Sequence, residues 1–157
     1  MPPSSERQLG NEPTRADIAP TLDLVLTADW ISPSLARDRV RAWLRANGWS
    51  PAQTDDLVLA VNEAISNSIE HGYLIGPGDP GRDETVEIHA AIHRAPDGSR
   101  RVGFTVRDSG TWLPQEEDGH STRGQGLRLM RACVEHLTID TGVAGTTVTM
   151  HSLPVPT

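Results

Sequence analysis

Four groups of residues have types and spacings suited to chemistry. Glu63 and Asn67 stand four apart in a segment with helical apolar spacing, so they share one face a turn apart. A carboxylate beside a carboxamide oxygen suits a hard cation such as magnesium together with a general base. Asp108 continues the two-residue period of Val102, Phe104 and Val106, which delivers its carboxylate to the core-facing side of a strand. A buried carboxylate needs donors. They can come from the Ser109-Gly110 turn that an Asp caps, or from an amine on a ligand. Thr146 is in phase with Val148 and Met150, so it points inward while Thr147 and Thr149 point outward. Asp108 and Thr146 are thereby placed to meet between sheet and helices. Gly124-Gln125-Gly126 opens a helix, where free N–H groups and the positive dipole end favour phosphate. It is not a dinucleotide fingerprint, because Leu129 takes the place of the third glycine and no parallel βαβ unit surrounds it.

Other polar positions stay open. Asp56, Glu63, Asn67 and His71 form a stripe that reads either as a solvated face or as one wall of a site. His89 and His93 can share a strand face, but no third metal ligand accompanies them. Cys133 sits among apolar helical residues and reads as core. Trp112 follows the Asp-Ser-Gly turn and either borders a pocket or closes the core. There is no Gly-x-Ser-x-Gly nucleophile motif.

The elements that must position these groups follow from periodicity. Residues 1–20 contain four prolines and few large apolar side chains, and read as a flexible tail. Leu22, Leu24 and Leu26 alternate as a strand. A helix follows, capped by Ser32 or Ser34 with Pro33 at its start, running to about Asn47 with Gly48 as its stop. Ala36, Val40, Trp43 and Leu44 form its apolar stripe, and Trp43 and Trp49 read as core. A second helix starts near 51–55 and runs to about Glu70, with Leu57, Val61, Ile65 and Ile69 inward. A Gly- and Pro-rich loop leads to a strand through Val86, Ile88, Ala90 and Ile92. The Pro96-Asp97-Gly98-Ser99 turn returns the chain into the strand ending at Asp108. Residues 113–123 read as a polar, acidic loop, followed by a helix from about Gly126 to His136. Two strands then flank the turn at 142–145. The order β-α-α-β-β-loop-α-β-β implies an α+β two-layer sandwich with a mostly antiparallel sheet. The folded part spans 21–153, with a short C-terminal tail at 154–157.

Composition narrows the classes. The chain has 157 residues, enough for one core without disulfides or metal. Its net charge of −7 argues against a general binder of nucleic acid or anionic membrane. Every one of the 14 basic residues is Arg, which excludes a Walker A lysine and a Schiff-base lysine. A single cysteine excludes an internal disulfide and a cysteine-cluster zinc site. No apolar run reaches membrane-spanning length, and the N-terminus lacks a signal peptide's basic and apolar regions, so the expected location is cytoplasmic.

In order, the chain contains Glu63-Ala64-Ile65-Ser66-Asn67-Ser68-Ile69-Glu70-His71-Gly72, Asp108-Ser109-Gly110, Gly124-Gln125-Gly126-Leu127-Arg128-Leu129-Met130 and Gly145-Thr146-Thr147-Val148. Together these resemble the asparagine box, the two glycine boxes and the closing Thr of the GHKL (Bergerat-fold) ATPases, over about residues 20–153. Within that superfamily the phrasing is most similar to the RsbW-type anti-sigma-factor serine kinases. The resemblance implies ATP and Mg2+ as cofactors. It implies that Asn67 binds magnesium and that Glu63 is the general base toward a partner's serine. Asp108 would accept from the adenine amino group with support from Thr146, and Gly110 would allow close approach of the base. Gly124, Gly126 and Leu127 would hold phosphates, with residues 113–123 as a lid. The implied partners are a sigma factor and an anti-anti-sigma protein phosphorylated on serine, and the family tendency is a homodimer. The alternative is a protein of the same fold acting by partner binding alone. The chain departs from many relatives in carrying Trp112 at the second glycine position of the first glycine box and acidic residues, Glu116, Glu117 and Asp118, in the lid.

Overall fold

The computed structural model describes residues 20–76, 78–110 and 122–156. The elements are β1 (Thr21–Ala28), α1 (Ser32–Ala46), α2 (Pro51–Asn67), a π-helical turn (Ser68–Gly72), β2 (Arg82–Arg94), β3 (Arg100–Asp108), α3 (Thr122–Cys133), β4 (His136–Gly142) and β5 (Gly145–His151). The five strands form one antiparallel sheet in the order β1-β2-β3-β5-β4. All three helices contribute buried residues to a single core on one face of this sheet, the α+β two-layer architecture expected from the element order.

The core follows the two periodicities. Val86, Ile88 and Ala90 on β2, Val102, Phe104 and Val106 on β3, and Val148 and Met150 on β5 line the inner sheet face. Ala36, Val40, Trp43 and Leu44 of α1 and Leu57, Val61 and Ile65 of α2 cover it. Trp43 meets Phe104 edge to face, with ring centroids 6.4 Å apart. Cys133 is partly buried against this core.

Several boundaries differ from expectation, each for a local reason. Neither Ser32 nor Ser34 caps α1. The Asp29 carboxylate accepts from the Ile31 N–H (3.0 Å), and the Ser32 hydroxyl instead donates to the Thr27 carbonyl (2.6 Å). Ser50 caps α2 in a reciprocal box with Gln53: the Ser50 hydroxyl accepts from the Gln53 N–H, and Gln53 Oε1 accepts from the Ser50 N–H. The regular turns of α2 stop at Asn67, and the last turn widens, the Tyr73 N–H donating to the Ser68 carbonyl (3.0 Å). Helix α3 begins at Thr122 rather than Gly126 and ends at Cys133 rather than His136. Within the expected C-terminal tail, Val155 is held by the fold. Val155 is 5% exposed and exchanges two backbone hydrogen bonds of 2.8 Å with Arg100, because its side chain completes the core. The tail at 1–19, Trp112 and the expected lid from 113 to 121 lie outside the described residues. Among the described residues no helix is long and apolar enough to cross a membrane.

Candidate functional site

Asp108 ends β3 directly opposite Thr146 of β5. Both are 2% exposed. Asp108 Oδ1 accepts from the Gly110 N–H (3.0 Å). Asp108 Oδ2 and Thr146 Oγ1 are both buried and have no partner of hydrogen-bonding geometry. Buried polar atoms are normally satisfied, so two orphans side by side mark a place where something else supplies the bonds. Burial pushes the Asp108 carboxyl above its ordinary range, against the opposing pull of the Ser68 hydroxyl and the Gly110 and Thr146 N–H groups.

Three glycines form the walls. A Cβ on Gly72 would lie 3.2 Å from the Asp108 carboxyl atoms, and one on Gly110 only 2.1 Å from the Gly72 carbonyl oxygen. Gly145 has φ +126°, and a Cβ there would lie 1.9 Å from the Asp108 carbonyl oxygen. No side chain fits at Gly110 or Gly145. The backbones of the π-turn, the end of β3 and the start of β5 therefore close around one carboxylate. The wide turn after Asn67 is what presses Gly72 against it.

Tyr73 clamps this arrangement. Its buried hydroxyl donates to the Thr85 carbonyl (2.6 Å) and accepts from the Ser109 N–H (2.9 Å), tying the start of β2 to the turn after Asp108. Sequence reasoning missed Tyr73 and Ser68. Both act through partners far away in the chain, and no local pattern encodes such partners.

Glu63 and Asn67 stand on α2 just before the π-turn. Asn67 is 7% exposed and Glu63 half-buried, so the polar stripe does not read as a wholly solvated face at these two positions. Asp56, earlier on the same stripe, is exposed. A Cβ on Gly126 would lie 3.0 Å from Glu63 Oε2 and 3.8 Å from the Asn67 amide atoms. Gly126 thus keeps α3 clear of the Glu63 and Asn67 side chains. Desolvation, with a smaller contribution from the Glu70 carboxylate, raises the Glu63 pKa.

The three residues expected to hold phosphate all lie on α3. Gly124 falls in the first turn, where backbone N–H groups lack helical partners. Gly126 and Leu127 fall past that turn, where N–H groups belong to the helical ladder, and the Leu127 side chain packs against the core. Among the described residues no group of three His, Cys, Asp or Glu side chains forms a metal cage.

A family model described as a histidine kinase-like ATPase domain matches residues 26–152. The chain belongs to that family. The crystal structure of the RsbU and RsbW domains of Rv1364c from Mycobacterium tuberculosis is similar over 88% of the present chain, with a TM-score of 0.61 and 28% identity. The match covers 34% of that chain, so the ATPase domain spans about a third of its length. The histidine kinase domain of the blue-light activated histidine kinase from Erythrobacter litoralis EL346 is similar over 64% of this chain and 44% of its own, at 20% identity and a TM-score of 0.40. A second structure of that kinase gives 21% identity and a TM-score of 0.44, over 64% of this chain and 30% of its own.

Proposed function

We propose that this chain is an ATP- and Mg2+-dependent protein-serine kinase and anti-sigma factor. It binds a sigma factor in one state and phosphorylates an anti-anti-sigma protein on serine in the other, in the cytoplasm. The observation that carries the reading is the buried, unpartnered pair Asp108 Oδ2 and Thr146 Oγ1, where the backbones of Gly72, Gly110 and Gly145 close in. An acceptor beside a hydroxyl matches the amino group and adjacent ring nitrogen of adenine. The similarity to a structure containing an RsbW domain supports the choice within the family.

ATP supplies the transferable phosphoryl group when bound. In this reading Asp108, Thr146 and Gly110 hold the base. Asn67 would hold magnesium through its carboxamide oxygen, and such an ion needs no all-protein cage. Gly124 offers an N–H in the first turn of α3. Gly126 gives clearance beside Glu63, and Leu127 seats the helix. Glu63 takes the proton of the partner's serine hydroxyl. Its raised pKa moves it toward neutrality, where a general base is most effective.

Calorimetric titration with ATP, with and without magnesium, tests the pocket. Magnesium-dependent binding by the wild type and its loss in Asn67→Ala are expected. Phosphotransfer to an anti-anti-sigma protein then tests the reaction, with Glu63→Ala abolishing transfer while still binding nucleotide. No binding by folded wild-type protein removes the nucleotide reading. Binding without transfer to serine leaves an ATP-binding regulator and removes the kinase.

A further inference from the structure

Among the described residues, no helix covers the second face of the sheet. Register aligns Thr21, Ala91, Gly103, His151 and His136 in one row across it, and Asp23, His89, Thr105, Thr149 and Thr138 in the next. Four of the chain's six histidines, His89, His93, His136 and His151, stand on this face. Sequence spacing pairs His89 with His93, but the fold separates their roles. His89 Nδ1 lies 2.6 Å from Asp23 Oδ1 on the neighbouring strand.

His93 converges instead with His151, from the strands on either side of β3. A Cβ on Gly103 would lie 3.3 Å from His151 Nε2 and 3.4 Å from His93 Nε2. Both rings thus lean over β3 and bring Nε2 to the same space above Gly103. Gly103 is absent from the positive-φ glycines, so its backbone does not require glycine. What the missing side chain provides is the slot. The local charges are balanced: Arg101, cross-strand from His93, is ion-paired with Glu135, whose Oε2 lies 3.7 Å from His136 Nε2.

We propose that His93 and His151 form a two-histidine site for a borderline transition-metal ion, Zn2+, over the bare floor of Gly103. Zinc sits about 2.0–2.1 Å from imidazole nitrogen, and both Nε2 atoms face this one slot. Water fills the remaining positions. Imidazole selects zinc over magnesium, which prefers oxygen, so this site is chemically distinct from the one assigned to Asn67. A bound ion would tie β2 to β5 across β3 and stabilise the sheet in proportion to its occupancy.

The test is calorimetric titration of the untagged protein with ZnCl2 in excess MgCl2. One zinc per chain is expected. His93→Ala and His151→Ala should each weaken binding by at least the about 10–100-fold that loss of an outer-shell partner costs. Gly103→Ala, which fills the slot but keeps both imidazoles, should weaken it as well. His89→Ala should leave it unchanged. Circular dichroism confirms that each variant is folded. Absence of zinc binding, its survival in His93→Ala, His151→Ala or Gly103→Ala, or its loss in His89→Ala overturns the proposal.

Discussion

Asp108→Asn should make the protein more stable and worse at binding nucleotide. The side chain is 2% exposed, Oδ2 has no partner, and burial raises its pKa. Asn keeps Oδ1 as acceptor for the Gly110 N–H and carries no charge. Removing a buried unsatisfied acceptor and its charge is worth about 1–3 kcal/mol. At about 2 kcal/mol, Tm rises by about 4–8 °C for a chain of this size. The gain depends on pH with a definite sign. A carboxyl whose folded pKa lies above its ordinary 3.8 binds more protons folded than unfolded, so wild-type stability is lost as pH rises through the folded pKa. The mutant advantage is therefore largest at neutral pH and shrinks as pH falls toward 3.8. Loss of the charged acceptor should lower ATP affinity by about 10–150-fold, the equivalent of about 1.5–3 kcal/mol. Urea unfolding at neutral and acid pH reads the first effect, and calorimetry the second. A mutant less stable at neutral pH, or an advantage that does not change with pH, refutes the reasoning.

Tyr73→Phe removes the hydroxyl that accepts from the Ser109 N–H and donates to the Thr85 carbonyl, and should cost about 0.5–1.5 kcal/mol in urea unfolding. Gly145→Ala combines φ +126° with a 1.9 Å clash against backbone, so it should cost about 3 kcal/mol or more, seen as a large drop in the urea midpoint. Phosphotransfer should fall as pH drops through the raised pKa of Glu63. Glu70→Gln removes one cause of that elevation, so its rate profile should shift to lower pH. Ser50→Ala opens the capping box of α2 and should cost about 1 kcal/mol in thermal unfolding.

Much of this protein was legible along the chain because periodicity is local. The alternation of Val102, Phe104, Val106 and Asp108 follows from strand geometry, and so does the inward turn of Thr146. The four-residue spacing of Leu57, Val61, Ile65 and Ile69 places α2 on the sheet and Glu63 with Asn67 on one flank. Those patterns determined the layers, the antiparallel sheet and the candidate side chains. The Ser50–Gln53 box, a signal within four residues, was open to the same reading and was missed.

Tertiary structure decided what depends on partners remote in sequence. Register set Asp108 opposite Thr146, and burial left both with an atom unbonded. Packing set Gly126 of α3 beside Glu63 and Asn67, a neighbourhood that the sequence alone does not give. It also widened the end of α2 so that Gly72 meets Asp108, and brought Tyr73 to Ser109. On the outer sheet face it replaced the sequential pair His89 and His93 with His93 and His151. A side chain's direction follows from the few residues around it, but what it meets there is set by strand order and helix approach, which only the folded chain defines.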